Sequence, residues 1–510
     1  MSSRLESMTN SGINSRLATH PIYPSGPASN VDGQSASPAK IGSTLLAVYI
    51  FLLAGRVLDV SPIWWLHIPM ILLIVLTFTT ISRGKLQHGF SSKITKYFAA
   101  FTVWVFVCFP FSYWRASSMA SIQKQVQSFV IFLIIVQMVR TTRDWQKVVG
   151  GFAYATLVAA LLAFHFGYTV EGRLALPGGT LGDPNEFALL MVVGLPFWWF
   201  KASRAKGFRK IFFLCCTLPI FLAFARAGSR AGLLAMAVLL LISFVFARGI
   251  QKIVIIMTAV IAVAASTVLL PGYIQTRFMT FFSAEGSYDA HTEARIDSDI
   301  ASSEGRKALL IQSIKMTFQH PIVGVGPGCF SFVAWDERKA TTGKGGETLV
   351  SHNTYTQVSS ETGFPGFVLF FVTVFLCVRS VLVDYRRLAP VDIELAQHAR
   401  YLFSCMGALA VGIFFLSVGY THMIATIFAF ALSLHKIVDS VLKMPGASPV
   451  TTASSWQHTN RFQRLQSPQH QGREVAASTS RQPVSSSLRQ RYGRVNQLGR
   501  RERAWPENSQ

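Results

Sequence analysis

Long apolar runs alternate with short polar connections along this chain, and one polar interruption is far longer than the others. About 20 mostly apolar residues are enough for a helix to cross the hydrocarbon layer of a bilayer. Runs of that kind fall near 41–58, 63–81, 97–113, 122–139, 146–166, 185–200, 210–225, 230–247, 250–270, 362–381, 400–418 and 421–440. They predict an all-α, polytopic membrane protein of about twelve transmembrane helices. The long interruption, 271–361, is read as one large, partly helical loop. Residues 1–40 are rich in Ser, Asn, Gly and Pro and contain no apolar run, so they are expected to form a disordered tail followed by an uncleaved first span. Residues 443–510 form a Ser/Gln-rich, basic tail that is also expected to be disordered. The domain that carries the chemistry is therefore 41–442.

Composition narrows the class. With 51% hydrophobic and only 14% charged residues, the chain is not an ordinary soluble enzyme. A net charge of +23 would suggest nucleic acid in a soluble protein, but here its placement argues otherwise. Arg83, Lys85, Lys93 and Lys96 follow the second span; Arg140, Arg143 and Lys147 follow the fourth. Lys201, Arg204, Lys206, Arg209 and Lys210 follow the sixth, Arg248 and Lys252 the eighth, and Arg379, Arg386 and Arg387 the tenth. Every second connection is basic, which puts these connections and both termini in the cytoplasm and the long loop on the extracytoplasmic face. The arginine-rich C-terminal tail is read as touching anionic lipid headgroups, and its sparse aromatics argue against nucleic acid. Of six cysteines only Cys329 lies in the long loop, so no disulfide framework is expected.

Polar positions with chemical potential collect in the outer connections. Arg226-Ala-Gly-Ser-Arg230-Ala-Gly232 places two arginines four residues apart, a spacing that shares one helix face. At the start of a helix, backbone N–H groups and the dipole would add to their field and favour an anion. The bland alternative is that both arginines reach outward to headgroups. Arg306 opens an expected helix over Lys307–Gln319, with an apolar face at Leu309, Leu310, Ile314 and Phe318. His320-Pro321 ends it, and Gly324, Gly326 and Gly328 make the next turn. This glycine run lacks a preceding strand and the full spacing of a dinucleotide fingerprint. Asp297-Ser298-Asp299 has the look of a metal-holding pair in nucleotide-sugar glycosyltransferases, but such donors are cytoplasmic. His291 and Glu293 complete no ligand set, so no metal and no cofactor is expected. His352, in Ser351-His352-Asn353-Thr354, is the sharper candidate, because imidazole accepts a proton near neutral pH. Asn353 is suited to orient a sugar and Glu361 to fix the imidazole tautomer. The alternative is that Ser351 or Asn353 simply caps a helix.

Taken in order, these segments resemble the O-antigen ligase and polymerase superfamily. The resemblance is carried by Gly172-Arg173, by Gly182-Asp183-Pro184-Asn185-Glu186-Phe187-Ala188 and by Gly228-Ser229-Arg230-Ala231-Gly232. It continues in Gly305-Arg306, His320-Pro-Ile-Val-Gly-Val-Gly326, His352-Asn353 and Glu361-Thr-Gly-Phe-Pro-Gly366, and spans roughly 41–440. It implies an integral protein of the bacterial inner membrane that moves a glycan from a polyprenyl diphosphate carrier to a glycolipid or glycan acceptor without a metal. In that scheme Arg230 and Arg306 bind the diphosphate, with Arg226 and Arg173 as further candidates, and Asn353 contacts substrate. Asn185 and Glu361 support the site, and His352 takes the proton of the attacking hydroxyl. Ligase and polymerase remain alternatives. A solute or anion transporter would need ionisable residues at mid-span, where almost none are expected. A scaffold acting through the basic tail leaves the loop motifs without a purpose.

Overall fold

The computed structural model describes residues 38–61, 64–82, 87–247, 249–269, 290–343 and 348–443, with isolated positions 272, 274 and 275. The chain divides into two units, Met1–Val450 and Thr451–Gln510, and every described residue belongs to the first. Of the expected tails, residues 1–37 and 444–510 lie outside the described residues, as do Arg83, Lys85 and Arg248, while 38–40 belong to the first helix and not to a tail. The side chains of His291, Glu293, Asp297 and Asp299 are also outside them.

The described chain is almost entirely helical. Eight helices are long and apolar enough to cross a membrane: Lys93–Phe111, Arg115–Met138, Thr142–Phe166, Pro184–Arg204, Gly207–Arg226, Thr354–Leu388, Ile393–Phe415 and His422–Leu442. Four shorter apolar helices, Gly42–Gly55, Ile68–Ser82, Arg230–Phe246 and Ile250–Val260, stand where four more of the expected spans fall. Two of these stretches belong to longer helices, Pro38–Gly55 and Ile250–Leu269, so among the described residues eight helices meet the length and composition of a span, and the count of twelve stays an expectation.

Burial ranks the helices. Within Pro184–Arg204 the apolar window is 78% buried, against 22% in Gly207–Arg226, so the former runs through the middle of the bundle and the latter along its edge. Trp145, Trp198, Phe152, Phe197 and Phe430 fill the core around that central helix. Phe152 meets both Phe197 and Phe430 edge to face, an arrangement that the ring quadrupoles favour.

Three local features depart from the sequence reading. The all-α expectation misses an antiparallel hairpin, β1 (Tyr168–Val170) and β2 (Arg173–Ala175), joined through Glu171 and Gly172, both at positive φ. A two-residue turn with both φ values positive matches the twist of a hairpin. The helix expected over Lys307–Gln319 is part of a longer one, Ala290–Gln319. Its buried side carries Leu309, Ser313, Met316 and Thr317, while Ile314 is 42% and Phe318 69% exposed. Finally, Thr354–Leu388 is two helices joined at a kink, with Gly363 at φ 70 and ψ −176.

That kink binds two of the sequence motifs into one unit. Breaking the helix frees carbonyl groups that the turn after Gln319 takes up. Val325 N–H donates to the Ser360 carbonyl (2.9 Å), Gly326 N–H to that of Glu361 (3.0 Å), and Phe364 N–H to that of Pro321 (2.8 Å). Trp104 Nε1 donates to the Thr362 carbonyl at 2.8 Å. A Cβ at Gly363 would overlap the Ile322 carbonyl oxygen, and one at Gly324 the Glu361 carbonyl group. On the other side of the turn, Ser117 and Ser118 donate to the carbonyls of Gly328 (2.7 Å) and Pro327 (2.8 Å). The long loop is thus fastened to the bundle by backbone contacts, and Leu309, Met316, Phe330 and Ala334 give it a small apolar cluster of its own.

Candidate functional site

Arg230, Arg306, His352 and Asn353, drawn from three separate stretches of sequence, line one open cavity of about 430 Å3. Ser351, Lys307 and the apolar side chains Leu234, Leu310, Phe414 and Phe415 complete its wall. A cavity of this size with convergent polar groups on an apolar wall has the form of a small-ligand site.

Each side chain is set by local structure. Arg230 is the first residue of the helix Arg230–Phe246, and its N-cap, Ser229, accepts from Gly232 N–H at 3.1 Å. Ser229 is fully buried and donates to Asn185 Oδ1 (2.9 Å), which also receives Arg173 Nη2 at 2.6 Å. Arg173 Nε donates to the Ala227 carbonyl at 3.0 Å. The hairpin and the start of the central helix therefore clamp the turn from which Arg230 projects. Arg173 is buried behind this turn and does not line the cavity. Arg226 and Arg230 do not share a helix face as the spacing suggested. Arg226 ends one helix, Arg230 begins the next, and Gly228 at φ 56 turns the chain between them, leaving Arg226 exposed.

His352 stands on a short turn pinned at both sides. Asn353 caps the helix that begins at Thr354, its Oδ1 accepting from Thr356 N–H at 3.0 Å. Ser351 Oγ pairs with Ser417 Oγ at 2.9 Å, and Thr354 Oγ1 donates to the Leu416 carbonyl at 2.6 Å. Between these anchors His352 adopts φ 51, a left-handed backbone that non-glycine residues seldom take. Strain of this kind persists only where the surroundings over-determine it, and it concentrates at functional sites. Burial pushes the His352 pKa below the ordinary imidazole value, the nearby Arg306 guanidinium pushes it the same way, and Asp183 opposes both. The imidazole is therefore neutral at pH 7 and able to accept a proton.

Glu361 does not stand beside His352 in the way expected of a tautomer-fixing partner. It is buried, Phe330 N–H approaches its Oε1 at 3.4 Å, and Tyr420 and Gln357 are its polar neighbours. No hydrogen bond joins it to His352 among the described residues. Its side chain faces the turn that precedes Phe330.

One group of polar residues near this site was missed in the sequence. Arg56, Lys124, Glu186 and His422 line a second cavity of about 580 Å3. Each sits near the end of an apolar run, where a polar residue reads as a boundary, so only Lys124, a few residues inside the fourth run, carried a signal.

No curated protein matches the chain. Residues 188–371 match the family described as O-antigen ligase, so this stretch, which contains Arg230, Arg306, His352 and the kink at Gly363, is similar to the O-antigen ligase superfamily.

Proposed function

We propose that this membrane protein transfers a glycan from a polyprenyl diphosphate carrier to an acceptor hydroxyl, and that the cavity between Arg230, Arg306 and His352 is where the transfer occurs. The observation that carries this reading is the convergence of two guanidinium groups and a neutral imidazole on one open cavity. Arg230 and Arg306 hold the diphosphate, since guanidinium groups contact phosphate oxygens in bidentate fashion and stay charged. His352 takes the proton of the attacking hydroxyl. The acceptor oxygen forms its bond to the anomeric carbon as the bond from that carbon to the diphosphate oxygen breaks, and the electron pair departs with the diphosphate. The arginines offset the charge that builds on the leaving group, which is an electrostatic contribution to the rate. Attack from the side opposite the leaving group inverts the anomeric carbon.

In this reading the protein sits in the bacterial inner membrane with this site on the extracytoplasmic face. Arg143, Lys147 and Lys201 gather around a different cavity, consistent with a basic cytoplasmic end. The O-antigen ligase match favours a glycolipid acceptor; extension of a second carrier-linked glycan by a polymerase uses the same geometry.

Reconstitution of the full chain in vesicles with a polyprenyl-diphosphate-linked glycan and a glycolipid acceptor tests the reading. Transfer is expected with wild type and loss with His352→Ala and Arg306→Ala. Full activity in both variants, or a product with retained anomeric configuration, would overturn it. Deleting the gene separates the two acceptors on a gel: loss of all attached polymer indicates ligase, and a single attached repeat indicates polymerase.

A further inference from the structure

The second cavity is not used by the transfer chemistry above, yet it is built from polar groups that a membrane interior disfavours. Arg56 and Lys124 face Glu186, Gln127, Thr421 and His422 across a space lined elsewhere by Leu53, Phe152 and Leu181. Lys124 lies inside the candidate span Arg115–Met138, and ionisable residues within spans are costly and mark functional pathways. Among the described residues, the side chains of Lys124 and Glu186 make no hydrogen bond or close ion pair, although Glu186 lies in the field of Lys124. His422 is held by Ser128 through Nδ1 at 2.9 Å. Arg56 pairs with Asp59 at 3.0 Å and lies against the backbone of Gly179.

The polar lining identifies the class of ligand. Arg56 is already paired with Asp59, which stands outside the lining, and Lys124 shares the space with Glu186, Gln127, Thr421 and His422, so the lining mixes hydrogen-bond donors and acceptors. A phosphate would find Arg56 committed to Asp59, and a cation would meet Arg56 and Lys124. A lipid tail would leave every polar group dry and unsatisfied. A sugar ring fits, because its hydroxyls both donate and accept and its C–H face packs on apolar walls. The cavity also has a fixed relation to His352. Asn185, next to Glu186 in the helix that Asp183 caps, bonds Ser229, the residue before Arg230, so the turn at 183–186 touches both cavities.

We propose that the cavity between Arg56, Lys124, Glu186 and His422 binds a sugar ring of the acceptor glycan and holds it while a hydroxyl is presented to His352. This rests on the transfer reaction proposed above and adds to it where the acceptor sits. Glu186 accepts from ring hydroxyls, and Lys124 and Arg56 donate to ring oxygens.

Two measurements on the full chain test it. The first is calorimetric binding to detergent-purified protein of the oligosaccharide released by mild acid from the host's own surface glycolipid. Wild type is expected to bind, with Lys124→Gln and Glu186→Gln each weakening binding about tenfold, the scale of one hydrogen bond to a charged group. The second is transfer kinetics, in which the same variants are expected to raise KM for the acceptor about tenfold and leave KM for the donor within about twofold. Absence of binding by wild type, or wild-type binding by both variants, overturns the proposal, as does a rise in donor KM. Lys124 is exposed, so Lys124→Gln decides the outcome if Glu186→Gln fails to fold. Binding that is lost in Lys124→Gln, from a wild type that transfers nothing, would keep the sugar site and remove the transferase reading. Normal transfer with unchanged acceptor KM in both variants would do the reverse.

Discussion

Replacing Gly363 by alanine tests whether the two glycine motifs form one structural joint. Two effects combine at this position. The backbone at φ 70 and ψ −176 is almost closed to a residue with a Cβ, which costs about 1–3 kcal/mol. The added methyl group would also overlap the Ile322 carbonyl oxygen and push the turn off the helix. That loosens three backbone hydrogen bonds, from Val325, Gly326 and Phe364, each contributing about 0.5–1.5 kcal/mol net. The expected loss is about 2.5–7.5 kcal/mol, a large share of the roughly 5–15 kcal/mol that stabilises a typical fold. Denaturant titration of the detergent-purified protein measures it. Gly324→Ala strikes the same contact from the other side, through the Glu361 carbonyl group. The double variant should therefore lose less than the two single losses added together, by about 1–3 kcal/mol. Whatever fraction stays folded should transfer about a hundredfold more slowly, since the helix displaced by the kink begins at Thr354, next to His352 and its cap Asn353, and a misplacement near 1 Å has that effect. A Gly363→Ala protein within about 0.5 kcal/mol of wild type, or strictly additive losses, would refute the reasoning.

Four further outcomes are expected. His352→Ala should lower the transfer rate by about 10²–10⁴-fold, the usual contribution of a positioned base, with donor binding intact in a filter assay. The pKa of His352 is lowered, so the neutral, active form persists below the ordinary imidazole range; activity should fall only at more acid pH, and Arg306→Gln should raise the His352 titration midpoint seen by NMR by removing one cause of the lowering. Asn185→Ala should destabilise the protein by about 2–4 kcal/mol in denaturant titration, because a buried acceptor shared by Arg173 and Ser229 is lost, and Asn185→Asp should restore most of it. Removing residues 445–510 should leave glycan transfer in vesicles largely unchanged, whereas loss of transfer would favour a scaffold acting through the tail.

Much of this arrangement was legible in the sequence, because long-range order along an apolar run survives in a one-dimensional pattern. The runs near 122–139, 146–166 and 421–440 became the helices Arg115–Met138, Thr142–Phe166 and His422–Leu442. Arg230, Arg306 and His352 were readable as candidates because a charged or titratable residue beside a span needs an explanation. What the sequence withheld was pairing at a distance. Glu361 looks like a neighbour of His352 by position, yet it turns toward Phe330 and Tyr420. Arg173 reads as a ligand-binding cation, but its guanidinium is committed to Asn185 and the Ala227 carbonyl. Strands of three residues are too short to show a period of two, so the hairpin gave no signal. Gly363-Phe-Pro-Gly366 carries turn residues, but it lies at the start of an apolar run that continues for another turn and more, and the run dominated the reading.

The start of the central helix explains why residues so far apart in sequence act in one place. Asp183 caps the helix by accepting from Asn185 N–H at 2.6 Å, and Pro184 at the first turn needs no hydrogen bond of its own. Three contributions then follow from this one turn. Asn185 holds the Ser229 cap, and with it the position of Arg230. Asp183 sets part of the field at His352, opposing burial and Arg306. Glu186 reaches the second cavity. Because Pro184–Arg204 is the most buried of the long apolar helices, this point cannot shift without disturbing the core around Trp198. A site assembled from loops would move with them, whereas this one is referenced to the stiffest element of the bundle. The long loop supplies Arg306 to it and is fastened by backbone contacts at the Gly363 kink, so its freedom is limited where the chemistry needs it to be.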